Sequence, residues 1–182
     1  FTEPQDIVQM ATFGSTEVTS EFVHIKIGGD LALIKGMMKV MFERDAAGEA
    51  VFDLGFISEH TEGFAALRAD IAAQDWPAIV AASGLDAAQI RRCADIYIRS
   101  NATISCYGMG VTQHQQGSQL VQQIANLLLL KGNFGKPGAG ISPIRGHSNV
   151  QGDRTVGIDE RPSQAYLDKV REVFGFEPPR DH

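Results

Sequence analysis

Apolar residues recur every three to four positions in several stretches of the chain, which is the pattern of amphipathic helices. The stretches with this spacing are 31–43, 76–82, 86–100, 117–131 and 163–174. Another helix is expected to start at Ser58 or Thr61 and to run through Ala73. Met37, Met38 and Met41 lie in the first of these helices, where they are predicted to fill the core.

Several residue types at the ends of these stretches predict where the helices begin and end. The predicted N-caps are Asp30, Asp86 and Ser163, and the predicted C-terminal glycines are Gly84 and Gly132. The middle of the chain, 59–99, is therefore expected to be helical and structural.

Alternation of apolar and polar residues, which indicates a half-buried strand, occurs at 22–27 and 103–107. The segment 51–54 is a weaker candidate for a short strand. Both clear strands lead through a glycine turn into a helix, and this order is the half-unit with which open α/β sheets hold nucleotides. The residues before the first strand, 1–21, are predicted to be extended or irregular.

A long glycine- and proline-rich stretch follows the most apolar helix. It is predicted to be a shaped loop from Asn133 to Gly157, and loops of this length are often functional. Ten consecutive positions of this loop contain five polar residues, namely Arg145, His147, Asn149, Gln151 and Arg154. Such a density of donors favours a loop that lines a site.

Composition narrows the class of protein. The chain has 182 residues, enough for one compact domain, and its net charge of -6 argues against nonspecific binding to nucleic acid or an anionic membrane. No apolar run has the length of a membrane span and no signal peptide is visible. Cys93 and Cys106 lack CxxC spacing and are expected to be buried and reduced, which fits a cytoplasmic protein.

The ends of the sequence carry an expectation of their own. The chain begins at Phe1 without methionine and stops shortly after a helix and a Pro-Pro pair. We therefore expect a segment of a longer polypeptide. His, Cys, Asp and Glu have no metal-ligand spacing, so no protein-coordinated metal is predicted within the segment.

Three groups of residues are candidates for a site. The turn Gly108-Met109-Gly110, with Gln113, lets backbone approach a ligand closely, although glycines at such corners are often only turn residues. In the turn Gly28-Gly29-Asp30 the acid can accept from ribose hydroxyls or guanine, and the alternative is an ordinary helix cap.

The third group lies in the long loop. Arg145, followed by Gly146, can reach an anionic substrate or a phosphate, and His147 can move a proton near neutral pH. The alternatives are an arginine that anchors the loop through backbone carbonyls and a structural imidazole. His24, His60, His114 and His182 are scattered along the sequence and receive no role.

The run YGMGVTQHQQGSQLVQQIANLLLLKGNFGKPGAGISPIRGHSNVQGDRTVG resembles the molybdopterin oxidoreductase family, near the formate-dehydrogenase-like catalytic subunits. The family shows a G-M-G-x-T-Q turn, a leucine-rich helix ending in G-N-x-G-x-P-G-x-G, and a P-x-R-G-x-x-N-V-Q-G loop. The earlier segment GGDLAL is similar to the family's Gly-x-Asp turn. The resemblance is dense over 103–157, extends back to residue 22 and is thin in the helical middle.

The resemblance implies an α/β fold, a Rossmann-like three-layer dinucleotide-binding domain that is a fragment of a larger multidomain subunit. Residues 1–158 would belong to that domain, and 159–182 would form a helix and the start of a connection to the next domain. The cofactor implied is molybdenum or tungsten held by two molybdopterin guanine dinucleotides (bis-MGD). Its implied contacts are Gly28, Gly29, Asp30, Gly108, Met109, Gly110, Gln113 and Gly146.

The resemblance also implies the chemistry of the full-length protein. Arg145 matches the arginine that orients the substrate carboxylate beside the metal, and His147 is a candidate proton relay. A 4Fe-4S cluster and the metal ligand would lie upstream, and the partners would be the rest of the catalytic subunit, an electron-transfer protein and a small-molecule substrate.

Two readings of the function stay open. Formate dehydrogenases carry Gln and Asn where this chain has His147 and Ser148. Because of this difference, the resemblance implies either formate or another small molecule as the substrate. The alternative is a non-catalytic nucleotide-binding or regulatory module from a redox-inactive parent. A nicotinamide dehydrogenase is disfavoured, because GxGxxG and its ribose-binding acid are missing from their usual spacing.

Overall fold

The computed structural model describes residues 7–12, 19–147 and 149–180, which divide into two compact units, Phe1–Pro143 and Ile144–His182. The helices of the first unit are α1 (Ile7–Thr12), α2 (Asp30–Ala46), α3 (Leu54–His60), α4 (Phe64–Ala72), α5 (Trp76–Ser83), α6 (Ala87–Arg99), α7 (Met109–Thr112) and α8 (Gly117–Leu129). Its strands are β1 (Ile104–Tyr107) and β2 (Gly140–Pro143). The second unit contains α9 (Val150–Thr155) and α10 (Gln164–Phe174).

Helix α2 lies at the centre of the first unit, where it packs against α4, α5, α6 and α8. Met38 and Met41 are fully buried, so the prediction that these methionines fill the core is confirmed. A Cβ on Gly36 would lie 2.9 Å from a methyl carbon of Ile90 and 3.0 Å from one of Ile79. The missing side chain therefore lets α2 approach α5 and α6 closely.

Strands β1 and β2 form a parallel pair in which Ile104 lies opposite Gly140 and Tyr107 opposite Pro143. The strand predicted at 103–107 is thus confirmed. The prediction of one continuous loop over 133–157 is wrong, because that stretch contains β2 and α9. Glycine and proline spacing concealed β2, whose pairing with β1 depends on a segment more than thirty residues earlier in the chain.

The end of α8 is held to the end of α6 by buried polar groups. The Tyr97 hydroxyl donates to the Leu127 carbonyl at 2.6 Å and accepts from Asn133 Nδ2 at 3.0 Å. Lys131 Nζ donates to the carbonyls of Tyr97 and Ser100 at 3.0 and 2.7 Å, and also to that of Ile98. Lys131 follows α8 in the sequence, and its ammonium caps the end of the neighbouring helix α6.

The strand predicted at 22–27 is not part of a sheet in the described structure, although its alternation is meaningful. Val23 and Ile25 pack against the small core cluster of Ile79, Leu85 and Ile90, whereas Phe22 is 76% exposed. The alternation therefore reflects two half-buried side chains that pack on this cluster, in a segment that pairs with no strand of the described residues.

The predictions for 51–73 need two corrections. Residues 51–54 are not a strand, because Asp53 caps α3 by accepting from the Phe56 amide at 3.0 Å. The single helix expected from Ser58 or Thr61 through Ala73 is divided into α3 and α4. Gly63 separates them with a positive φ of 78°, a conformation that favours glycine and that ends a regular helix.

Three smaller predictions also differ from the structure. Asp30 is the first residue of α2, not its cap; Gly29 occupies the N-cap position without a side-chain bond. Within 1–21, expected to be irregular, Ile7–Thr12 is helical, and 1–6 and 13–18 lie outside the described residues. Cys106 is exposed and Cys93 is half-buried, so the expected buried pair is wrong.

Other helix ends follow the sequence closely. Asp86 and Gln89 form a reciprocal capping box at the start of α6, and Gly84 ends α5 with a φ of 76°. In the second unit, Ser163 caps α10 by accepting from the Tyr166 amide at 3.2 Å. The described residues form a helix-dominant fold with one small parallel sheet, and the predicted division at residue 158 stays a prediction.

Candidate functional site

A cavity of about 170 Å³ opens in the first unit between two turns that are distant in the sequence. One turn precedes α2 and the other connects α7 to α8. The residues that line the cavity are Gly28, Leu31, His114, Gln115, Gln116 and Leu120. The structure thus brings the predicted Gly28–Asp30 turn close to the chain segment that follows the predicted Gly108–Gln113 turn.

The first turn is fixed by backbone hydrogen bonds. Gly28 has a φ of 79°, and the Gly29 amide donates to the Lys26 carbonyl at 2.8 Å. The Lys26 amide in turn donates to the Ser83 carbonyl at 2.9 Å, so the turn is attached to the end of α5. Gly28 itself is exposed at the cavity, where only glycine adopts this conformation without strain.

Gly29 has a packing role of its own. It is buried, and a Cβ there would lie 2.9 Å from the carbonyl oxygens of Ala82 and Ser83. The absence of a side chain therefore lets the turn lie directly on the end of α5. Asp30 is half-buried in the first turn of α2, where a carboxylate is favoured by the helix dipole.

The predicted Gly108–Gln113 turn starts where β1 ends and precedes the α7–α8 connection that lines the cavity. Gly108 is extended, α7 begins at Met109, and the Gln113 amide donates to the Met109 carbonyl at 2.9 Å. Met109 is 52% exposed, and a Cβ on Gly110 would have no atom within 4 Å. This surface is therefore open to a ligand along the backbone of Met109 and Gly110.

His114 is a cavity residue to which the sequence assigned no role. Its Nδ1 lies 3.9 Å from the position that a Cβ on Gly28 would occupy, and the side chain is half-buried. The signal available in the sequence was its position directly after Gln113, at the end of the predicted glycine turn. That signal is weak without the contact to Gly28, which is 86 residues earlier in the chain.

The remaining candidates lie in the second unit. Arg145, Gly146 and His147 are all exposed. The Arg145 guanidinium forms no hydrogen bond or ion pair with any residue that the structure describes, whereas Arg154 pairs with Glu160 at 3.0 Å. The alternative role for Arg145, anchoring the loop, would need hydrogen bonds to backbone carbonyls, and the described residues contain none from its side chain. Ser148 lies outside them.

Across the described ranges 7–12, 19–147 and 149–180, no three His, Cys, Asp or Glu side chains are grouped so that they could hold a metal ion. The helices in these same ranges are all too short or too polar to cross a membrane.

Comparison with known proteins decides the family. The family model for molybdopterin oxidoreductases matches residues 5–172. The chain belongs to the molybdopterin oxidoreductase family. Membership implies a molybdopterin cofactor and an oxidoreductase activity for the family, and it confirms the resemblance found in the sequence.

Three relatives show how similar the chain is to known members of the family. Protein YdeP of Escherichia coli (strain K12) is 52% identical over 98% of the chain, which covers 24% of YdeP. An uncharacterized oxidoreductase of Mycobacterium tuberculosis (strain ATCC 25618 / H37Rv) is 37% identical over 100% of the chain and 23% of that protein. Formate dehydrogenase H of Escherichia coli (strain K12) is 32% identical over 90% of the chain and 23% of its own length. The chain thus spans about a quarter of these curated relatives.

Proposed function

We propose that this chain supplies part of the binding site for a molybdopterin guanine dinucleotide in a bis-MGD enzyme that contains molybdenum or tungsten. The observation that carries the proposal is the cavity between the Gly28 turn and the His114–Gln116 segment, in a chain that belongs to this family. The proposed cofactor contacts are Gly28, Gly29, Asp30, Gly108, Met109, Gly110, Gln113 and Gly146.

The two turns of the first unit fit a large polar cofactor. A side chain at Gly28 would project toward the cavity and His114, and Gly110 leaves open space above the backbone. Both positions let a ligand approach main-chain atoms that a Cβ would shield. Asp30 adds a carboxylate that can accept from ribose hydroxyls or from the N–H donors of guanine.

The proposed cofactor supplies the two-electron redox chemistry at its metal, and the protein supplies position and charge. The role proposed for Arg145 is to bind an anionic substrate group through two parallel N–H donors. Its exposure and its lack of a partner among the described residues leave those donors available. His147, also exposed, is the proposed proton relay, because an imidazole exchanges a proton near neutral pH.

The substrate class of the proposal is a small anion, with formate as one candidate. Formate dehydrogenase H shares 32% identity with the chain and YdeP shares 52%. His147 and Ser148 stand where formate dehydrogenases carry Gln and Asn, so the substrate contacts around Arg145 differ from theirs. The proposal extends to a 4Fe-4S cluster, an electron-transfer partner and a cytoplasmic location for the full-length protein.

The first test is the metal and pterin content of the anaerobically purified full-length protein. We expect molybdenum or tungsten by mass spectrometry and about two pterins per metal by the fluorescence of the oxidised pterin. A folded, fully matured preparation with neither metal nor pterin would contradict the proposal. That result would favour the alternative, a non-catalytic nucleotide-binding or regulatory module.

Replacing Arg145 separates the catalytic proposal from that alternative. In Arg145→Ala we expect substrate turnover to fall by at least about 100-fold with the metal and pterin content retained, because a charge-assisted bidentate contact is lost. Stability should change by less than about 0.5 kcal/mol, since the exposed side chain has no described partner.

The matched control is Arg161→Ala, which removes another exposed arginine of the second unit. This variant should keep wild-type turnover. Equal losses of turnover in the two variants would attribute the effect to net charge, and unfolding of Arg145→Ala with unchanged specific activity would support a scaffold role.

A further inference from the structure

We infer that His114 contacts the nucleotide directly, with its imidazole ring packed against a purine-type heterocycle in the cavity beside Gly28. This inference rests on the proposed function and adds to it a residue and a ligand moiety. It starts from geometry, because His114 and Gly28 are neighbours in the lining of a cavity of about 170 Å³, with Nδ1 3.9 Å from the Gly28 Cβ position.

The side chain of His114 has no structural partner that would explain it. It forms no hydrogen bond, ion pair or ring contact with any described residue, although it is half-buried. The exposed His60, by comparison, packs on the Phe56 ring with centroids 4.9 Å apart. A half-buried imidazole that faces a cavity and has no partner is available to a ligand.

The lining of the cavity favours a neutral ring over a phosphate group. Leu31 and Leu120 supply apolar surface, and the side chains of Gln115 and Gln116 offer amides that both donate and accept. No lysine, arginine or carboxylate belongs to this lining. A heterocyclic base needs apolar contact for its faces and mixed donors and acceptors for its edge, and this lining supplies both, whereas it offers a phosphate no fixed positive charge.

The position of His114 in the chain explains how the contact is held. The Gly117 amide donates to the His114 carbonyl at 3.0 Å, and Gly117 packs so closely on Thr112 that a Cβ would lie 2.5 Å from its carbonyl oxygen. The turn that carries His114 is thereby closed against the end of α7. The imidazole is presented by a constrained backbone, which lowers the cost of ordering it on binding.

The experiment is isothermal titration calorimetry with guanosine monophosphate and, separately, with inorganic pyrophosphate. It uses the full-length protein purified from a host that cannot make the pterin. Wild-type protein should bind guanosine monophosphate. His114→Ala and His114→Leu should each weaken that binding by at least about tenfold, the loss expected when one stacked ring is removed. His114→Phe, which restores a flat ring, should lie within about threefold of wild type.

The control is His60→Ala, which removes an exposed histidine of the same unit and should bind as wild type does. Circular dichroism identifies any variant that fails to fold, and the leucine and phenylalanine variants then carry the comparison. Wild-type affinity in both His114→Ala and His114→Leu would overturn the inference. A loss of pyrophosphate binding equal to that of guanosine monophosphate would also overturn it, since it would indicate a phosphate contact.

Failure of this inference is distinguishable from failure of the proposed function. Full-length wild-type protein that contains metal and pterin, together with His114 variants of unchanged affinity, would remove only the role of His114. Matured protein without pterin would remove the proposed function itself.

Discussion

Tyr97 is the residue whose surroundings most change its ordinary chemistry. The residue is 5% exposed, and its hydroxyl is held between the Leu127 carbonyl and the Asn133 amide. Burial raises the pKa of Tyr97 to about 12, and the hydrogen bond from Asn133 opposes that rise in part. The phenol is therefore neutral throughout the physiological range and donates to the end of α8.

We predict that Tyr97→Phe lowers the free energy of unfolding by about 1–3 kcal/mol at neutral pH, because two buried polar groups lose their partner. The same variant should be less sensitive to alkali. Since the pKa of Tyr97 is raised from 10.0 to about 12 on folding, its contribution is complete below pH 10 and is lost as the pH rises toward 12.

Urea denaturation of wild type and Tyr97→Phe at several values between pH 8 and pH 12 measures both effects. The two-unit difference in pKa corresponds to a narrowing of the stability gap by up to about 3 kcal/mol between pH 10 and 12. A difference in stability that stays constant across this range would mean that the pKa of Tyr97 is the same in the folded and unfolded states.

At the scale of elements, helix ends carry much of the agreement between sequence and structure. Asp86 accepts from the Gln89 amide at 2.7 Å, while the Gln89 side chain accepts from the Asp86 amide at 3.0 Å. Asp75 occupies the N-cap of α5 without any side-chain bond to that helix. The chain thus offers two aspartates at the same kind of position, of which one caps and one does not.

We predict that Asp86→Ala lowers the free energy of unfolding by about 1 kcal/mol, the usual loss for an N-cap side chain. Asp75→Ala is the matched control and should cost only a few tenths of a kcal/mol, because no capping bond is removed. Equal losses measured by urea denaturation would refute a specific role for the capping box.

Local signals explain which elements the sequence could predict. The spacing of Ile90, Ala94 and Tyr97 and the cap at Asp86 are both local to α6, and both are confirmed. The sequence does not predict β2, because its partner β1 is remote in the chain, and the alternation at 22–27 predicts a strand where the structure has only packing on a core cluster. Likewise, the sequence does not reveal that His114 lies beside Gly28 in the lining of one cavity.

At the scale of the whole molecule, the sheet is unusually small, since it contains only β1 and β2 among the described residues. A two-stranded pair is marginal in isolation, and on β1 the outward-facing Ile104 is 54% exposed beside the exposed Cys106. In the segment 22–27, the alternate residues Val23 and Ile25 pack on a core cluster. Both features are compatible with strands that pair with other parts of a longer chain.

We predict that the structure of the full-length protein contains further strands parallel to β1 and β2, with helices on both faces, which is the three-layer arrangement expected for the family. Parallel sheets occur almost only where helices cover both of their faces. The check is a crystal or electron-microscopy structure of the full-length protein. A sheet that remains two-stranded there would make the Rossmann-like expectation wrong.

The Gly28–Asp30 turn is joined to the end of α5 by a main-chain hydrogen bond from Lys26 to Ser83, by the Lys26 ammonium on the Ala81 carbonyl, and by the close fit of Gly29. These partners are separated by more than fifty residues in the sequence, yet they are joined at three points. A glycine turn transplanted alone into a new scaffold would lack the carbonyl groups of α5 to which it is bonded here. The transferable module is the turn together with the terminus of α5, and homologues that exchange one should exchange both.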